Sequence, residues 1–93
     1  MTIEEIKRRS LPHFKAIGAR RAALFGSFAR GEETPGSDLD FLVDLPSGLD
    51  LFDFIEFKHR LEDEFRRKVD LVEYDVIKPR IRESILHDQV PIL

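Results

Sequence analysis

Apolar residues fall first at helical and then at strand spacing along this chain, and the changes of period divide it into elements. Ile3, Ile6, Leu11, Phe14 and Ile17 lie near a 3.6-residue repeat and predict a helix, with Pro12 kinking or restarting it and Gly18 ending it. Arg20 to Phe25 and Leu39 to Leu45 are short apolar runs bounded by turn residues, which predicts two strands with a short helical turn, Phe28 to Gly31, between them. Asp50 is placed to cap a helix from Leu51 to about Arg67, whose stripe Leu51, Phe54, Phe57, Leu61 and Phe65 should pack on a sheet, with Glu56 and Arg60 paired outside. Lys68 to Tyr74, KVDLVEY, alternates as a third strand, with Val69, Leu71 and Glu73 on one face and Asp70, Val72 and Tyr74 on the other. From Asp75 a last helical segment follows, with Pro79 in its first turn and Ile81, Ile85 and Leu86 on one face. The expected class is α/β (α+β): a small mixed sheet of about three strands, helices largely on one face, and a site on the opposite, open face.

Two apolar features have no obvious place in that core. On a helical wheel Phe52 falls opposite the buried stripe, near Ile55 and His59, and forms either a docking surface or a strip covered by the loop Pro46 to Leu49. The tail Val90 to Leu93 packs on the core, pairs as an edge strand or contacts another subunit; the sequence does not choose among these.

The chemistry concentrates between Gly26 and Asp40, in GSFARGEETPGSDLD. Side chains two apart on a strand share a face, so Asp38 and Asp40 lie side by side. Two adjacent carboxylates persist only if one is protonated or a cation sits between them, and hard oxygen ligands select Mg2+ or Mn2+ over zinc. At Gly26 and Ser27 the first strand turns into helix. A glycine lets backbone N–H groups approach an anion, Ser27 adds a hydroxyl donor, and Arg30 adds a cation within reach of a triphosphate or of the acidic strand. Two-metal phosphoryl chemistry also needs a further carboxylate able to accept the proton of an attacking hydroxyl, and Asp70, set among apolar residues, is the best placed. The plainer reading of Asp70 is a strand-edge acid paired with Arg66, Arg67 or Lys68.

Gly-Ser, ten further residues, Asp-x-Asp, then a helix and a strand carrying another Asp: this pattern resembles the DNA polymerase beta-like nucleotidyltransferase superfamily, and most of all its minimal nucleotidyltransferases, over nearly the whole chain as far as KPRIRESIL at Lys78 to Leu86. The resemblance implies that Gly26 and Ser27 contact nucleotide phosphates, that Asp38 and Asp40 are ligands of two Mg2+ ions, and that Asp70 is the third carboxylate. Phe28 departs from it, standing where related sequences often carry a basic residue. The implied reaction is attack of a hydroxyl on the α-phosphorus of ATP, transferring AMP and releasing pyrophosphate. Such short proteins are typically encoded beside a HEPN-domain protein and serve as the antitoxin of that pair.

Composition narrows the setting. Ninety-three residues make one domain, spanning 1–93, too small to hold an acceptor-binding module as well, so the acceptor is expected from outside. There is no cysteine, and His13, His59 and His87 show no ligand spacing, which argues against zinc. Neither a signal peptide nor a membrane-length apolar stretch is evident, so a cytoplasmic location is expected. The net charge of −3 hides an asymmetry: residues 1–31 hold seven Lys/Arg and two acids, whereas residues 32–64 hold two and eleven. An acidic motif region disfavours nucleic-acid binding. Two classes of function stay open. One is an enzyme that adenylylates a hydroxyl, expected to be a tyrosine, on a HEPN toxin; the other is a binding antitoxin, homo- or hetero-oligomeric, that retains the site without using it. A transferase acting on small molecules is disfavoured because no acceptor pocket fits in the chain.

Overall fold

The apolar side chains of the central strand divide between two hydrophobic layers, and that strand organises the rest. In the computed structural model, which describes residues 1–93, the elements are α1 (Ile3–Ile17), β1 (Arg21–Phe25), α2 (Gly26–Arg30), β2 (Leu39–Asp44), α3 (Leu51–Phe65), β3 (Val69–Glu73), a 3-10 turn (Tyr74–Val76), α4 (Pro79–Asp88) and β4 (Val90–Pro91). The sheet order is β3-β2-β1-β4, with β2 parallel to β3 and the other pairs antiparallel. The expected α/β class with a small mixed sheet holds. The fourth strand is the addition: the tail pairs with β1, Ala22 donating to the Leu93 carbonyl and accepting from Ile92, so its backbone is satisfied as an edge strand.

On one face, α1 and α3 cover Ala22, Leu24, Leu39, Phe41, Val43 and Val69. Phe14 sits edge-on between Phe41 and Phe57, with ring centroids 5.4 and 5.5 Å away. Such pairs add roughly 0.5–1.5 kcal/mol each beyond the burial itself. On the other face a smaller cluster of Ala23, Leu42, Tyr74 and Ile77 receives Ile85 and Leu86 from α4. The face expected to be open is therefore partly covered by α4, and the acids lie at the uncovered end of it.

Several boundaries differ from expectation for local reasons. α1 runs unbroken through Pro12, which is exposed, so the helix bond it forfeits falls on the solvent side. Gly18, at φ 81°, ends the helix as expected. Asp50 caps α3 reciprocally with Asp53: Asp53 N–H donates to Asp50 Oδ1 at 2.8 Å, and Asp50 N–H to Asp53 Oδ2 at 3.0 Å. α3 stops at Phe65 because Arg66 turns left-handed, at φ 53°. Phe57, Leu61 and Phe65 of its stripe are buried, but Leu51 is exposed at the helix start, beyond the sheet. Glu56 and Arg60 pair outside at 2.6 Å. The last helix begins at Pro79 rather than Asp75, since Tyr74–Val76 form a 3-10 turn that buries Tyr74 and leaves Ile81 exposed. No helix is long and apolar enough to cross a membrane.

Candidate active site

Where β1 ends, Gly26 adopts φ 77°, a region open to glycine but costly for residues with a Cβ. A Cβ built there would lie 2.1 Å from Asp40 Oδ2 and 2.9 Å from its Cγ. The Asp40 carboxylate thus occupies the space a side chain would take, pressed against the turn that leads into Ser27. Register explains the approach. Asp40 is opposite Phe25, the residue before Gly26, on the antiparallel side, and opposite Asp70 on the parallel side. Asp38 lies two residues back, just before β2 begins.

The electrostatics follow from that crowding. Asp40 is half-buried, and its carboxyl is pushed up from 3.8 to about 6, first by burial, then by the negative charges of Asp70 and Asp38, with Arg30 partly opposing. Asp38 and Asp70 are exposed and belong to none of the ion pairs. This overturns both expectations for Asp70: it is not embedded among apolar side chains, and Arg66, Arg67 and Lys68 do not pair with it. Strand β3 lies at the sheet edge, and its outward face there is solvent.

Arg30 is exposed and turned along α2. Its Nε meets Glu32 Oε2 at 3.3 Å and its Nη1 meets Asp88 Oδ2 at 4.0 Å, so it stands beside the acids without contacting them. Phe28, the departure from the family pattern, is buried beneath α2. As the side chains stand, no three His, Asp or Glu groups converge closely enough to hold an ion. The donor set nonetheless suits a divalent cation: oxygen ligands only, two of them on exposed side chains, around a half-buried carboxyl raised first by burial and then by its two acidic neighbours. The structure thus gathers Gly26, Ser27, Asp38, Asp40 and Asp70 at one strand end and leaves Arg30 at the rim.

One residue near the site was read in the sequence only as a partner for Asp70. Arg67 instead donates from Nη1 to the carbonyls of Pro35, at 3.1 Å, and Ser37, at 2.8 Å, while its guanidinium lies 5.2 Å from the centre of the Phe28 ring. No local spacing signals this contact, which joins positions thirty residues apart.

A Gly-Ser turn set against carboxylates on a small mixed sheet is in keeping with a nucleotidyltransferase fold. Residues 3–91 match the family model described as a nucleotidyltransferase domain, and the chain belongs to that family. The match is to its minimal members. A candidate protein adenylyltransferase of Methanocaldococcus jannaschii is 39% identical over 93 residues, covering the full length of both chains. The solved structure of a candidate minimal nucleotidyltransferase superposes with a TM-score of 0.83 at 36% identity, covering 98% of this chain and 96% of that one. More distantly, at 16% identity and a TM-score of 0.73, a Shewanella oneidensis MNT antitoxin in complex with its tri-AMPylated HEPN toxin shares the fold over 97% of this chain and 71% of that one.

A second surface lies away from the acids. Phe52 is 79% exposed and Leu51 69%, so the loop Pro46 to Leu49 does not fold over them. Beside them Leu45, Pro46, Leu49, Phe54, Leu71 and Val76 line an open groove of about 500 Å³. The strip expected to be either covered or a docking surface is uncovered.

Proposed function

We propose that this protein transfers AMP from ATP to a hydroxyl, a tyrosine, of a HEPN-domain partner, and so neutralises that partner as the antitoxin of a toxin–antitoxin pair. The observation that carries the reading is the fit of Asp40 against Gly26: the turn suited to phosphates and the acid pair suited to cations touch, as a triphosphate bridged to metal requires. The names of its relatives support the direction of transfer, since the M. jannaschii protein is described as a protein adenylyltransferase and the S. oneidensis antitoxin is bound to an AMPylated HEPN toxin.

In this reading Asp38, Asp40 and Asp70 would hold Mg2+ or Mn2+, which when bound would neutralise charge on the attacking and leaving oxygens. Gly26 and Ser27 face the triphosphate, and Arg30 leaves Glu32 and Asp88 to approach it. The acceptor oxygen forms its bond to the α-phosphorus as the bond to the β-phosphate oxygen breaks. Pyrophosphate leaves with the electron pair, and the hydroxyl proton passes to Asp70, exposed at the sheet edge. Four surface concavities are lined by residues other than Asp38, Asp40 and Asp70, in keeping with a hydroxyl that arrives on a partner, with the strip of Leu51 and Phe52 available for docking. The protein acts in the cytoplasm as one domain, 1–93.

Incubation with its genomic neighbour and ATP labelled at either the α- or the γ-phosphate tests the reaction. The partner should retain label from the α-position only. Retention of γ-label would mean phosphoryl transfer and would refute the proposal.

A further inference from the structure

The eight residues Gly31 to Asp38 that connect α2 to β2 carry no regular structure, yet they end on an acid whose position matters. Gly31 and Glu32 N–H donate back to the Phe28 and Ser27 carbonyls of α2, and beyond them the segment's own bonds fix only a local turn: Thr34 N–H donates to Ser37 Oγ at 2.9 Å and Ser37 N–H to the Thr34 carbonyl at 3.0 Å. Nothing in that turn ties it to the sheet. Arg67 does, because its Nη1 carries two hydrogens and reaches two carbonyls, those of Pro35 and Ser37, the second belonging to the residue before Asp38. Above the same guanidinium lies Phe28, whose ring is buried under the helix that begins with Gly26 and Ser27. One side chain therefore meets a neighbour of each half of the candidate site, Phe28 next to Ser27 and Ser37 next to Asp38.

The backbone is shaped to deliver it. Arg66 is the only non-glycine residue with positive φ, and its left-handed turn ends α3 so that Arg67 enters beneath the loop just before β3 starts. Leu39 N–H then donates to the Lys68 carbonyl at 3.0 Å, joining the two strand starts on either side of Asp38. The Arg67 Nε is buried without a partner, so the guanidinium is held here despite an unmade hydrogen bond.

We infer that Arg67 is a positioning residue: by fixing the Pro35 and Ser37 carbonyls and backing Phe28, it holds the segment that carries Asp38 beside the strand that carries Asp40, so that the two acids can close on a divalent cation. This rests on the metal-site reading above. A planar fork stacked on an aromatic ring cannot be replaced by an ammonium without losing the stacking, so lysine is an incomplete substitute.

The test compares Arg67→Met and Arg67→Lys with Arg9→Met, in the full chain. Arg9 lies 4.8 Å from the centre of the Phe65 ring and bonds to Glu64, a similar contact far from the acids, and so controls for general destabilisation. Two readouts are taken on folded protein without nucleotide: Mn2+ affinity by electron paramagnetic resonance, and amide exchange at residues 36–39. Arg67→Met should weaken Mn2+ binding by about tenfold or more and speed exchange at those amides, with Arg67→Lys intermediate and Arg9→Met like wild type. Wild-type Mn2+ affinity in a folded Arg67→Met variant overturns the inference, as does an equal loss in Arg9→Met. Should wild type bind no Mn2+, the metal-site reading fails instead. The exchange data then decide the positioning role alone: unchanged rates at residues 36–39 in Arg67→Met overturn it.

Discussion

Replacing Asp40 by asparagine should stabilise the metal-free protein while abolishing its transfer activity. The carboxyl is raised to about 6 by burial and by Asp70 and Asp38, so at pH 7 its ionised form costs more in the fold than in the unfolded chain. A displaced pKa is worth about 1.4 kcal/mol per decade, which gives roughly 3 kcal/mol before solvent is considered. Asp40 is only half-buried, and screening brings this to about 1–1.5 kcal/mol. Because the folded value lies above the unfolded one, the stabilisation from protonating Asp40 is complete below about 3.8 and is lost as pH rises through about 6. Asparagine keeps the shape and carries no charge at any pH. In EDTA at pH 7.5, Asp40→Asn should therefore melt roughly 4–10 °C above wild type. At pH 4.5 that difference should shrink, since wild type has taken up its proton. Circular dichroism melts at the two pH values measure this. A variant that melts no higher than wild type at pH 7.5, or whose advantage is undiminished at pH 4.5, would refute the electrostatic account of the site.

Three further outcomes follow from single contacts. Gly26→Ala must move the Asp40 carboxylate, since its Cβ would fall 2.1 Å from Oδ2, and should cut transfer by about a hundredfold or more while the fold survives a cost of about 1–3 kcal/mol, read by labelled-nucleotide assay and denaturant titration. Asp50→Ala removes the reciprocal cap of α3 and should lower stability by about 1 kcal/mol in urea titration with transfer intact, a loss of activity arguing against a purely structural role. Phe52→Asp, on the exposed strip, should leave the melting temperature within about 2 °C of wild type yet weaken capture of the partner in calorimetry; unaltered capture would remove this strip from the interface.

The parts of this structure written in local sequence were legible, and the parts made by distant contacts were not. Helical and alternating periods gave α1, α3 and the three main strands, and Asp50 and Gly18 marked boundaries because a cap acts through residues three or four away. The pairing of the tail with β1 was one of three options, since an apolar tetrapeptide carries no register. The grouping of Gly26, Ser27, Asp38 and Asp40 followed from strand alternation and the family pattern, and Asp70 joined them through parallel pairing with Asp40. Burial of Asp70 was misjudged because alternation gives a face without saying whether anything covers it. Arg67 escaped notice for the related reason that its partners lie thirty or more residues away.

In the proposed function the acid pair beside the Gly-Ser turn performs chemistry on a partner protein. Intact-mass spectrometry of the genomic neighbour, after incubation with this protein, Mg2+ and ATP, tests it most directly. The partner should gain at least one adenylyl increment with wild type and none with Asp38→Asn combined with Asp40→Asn. An unmodified partner that wild type and the double variant inhibit equally well would contradict it and leave a binding antitoxin in its place.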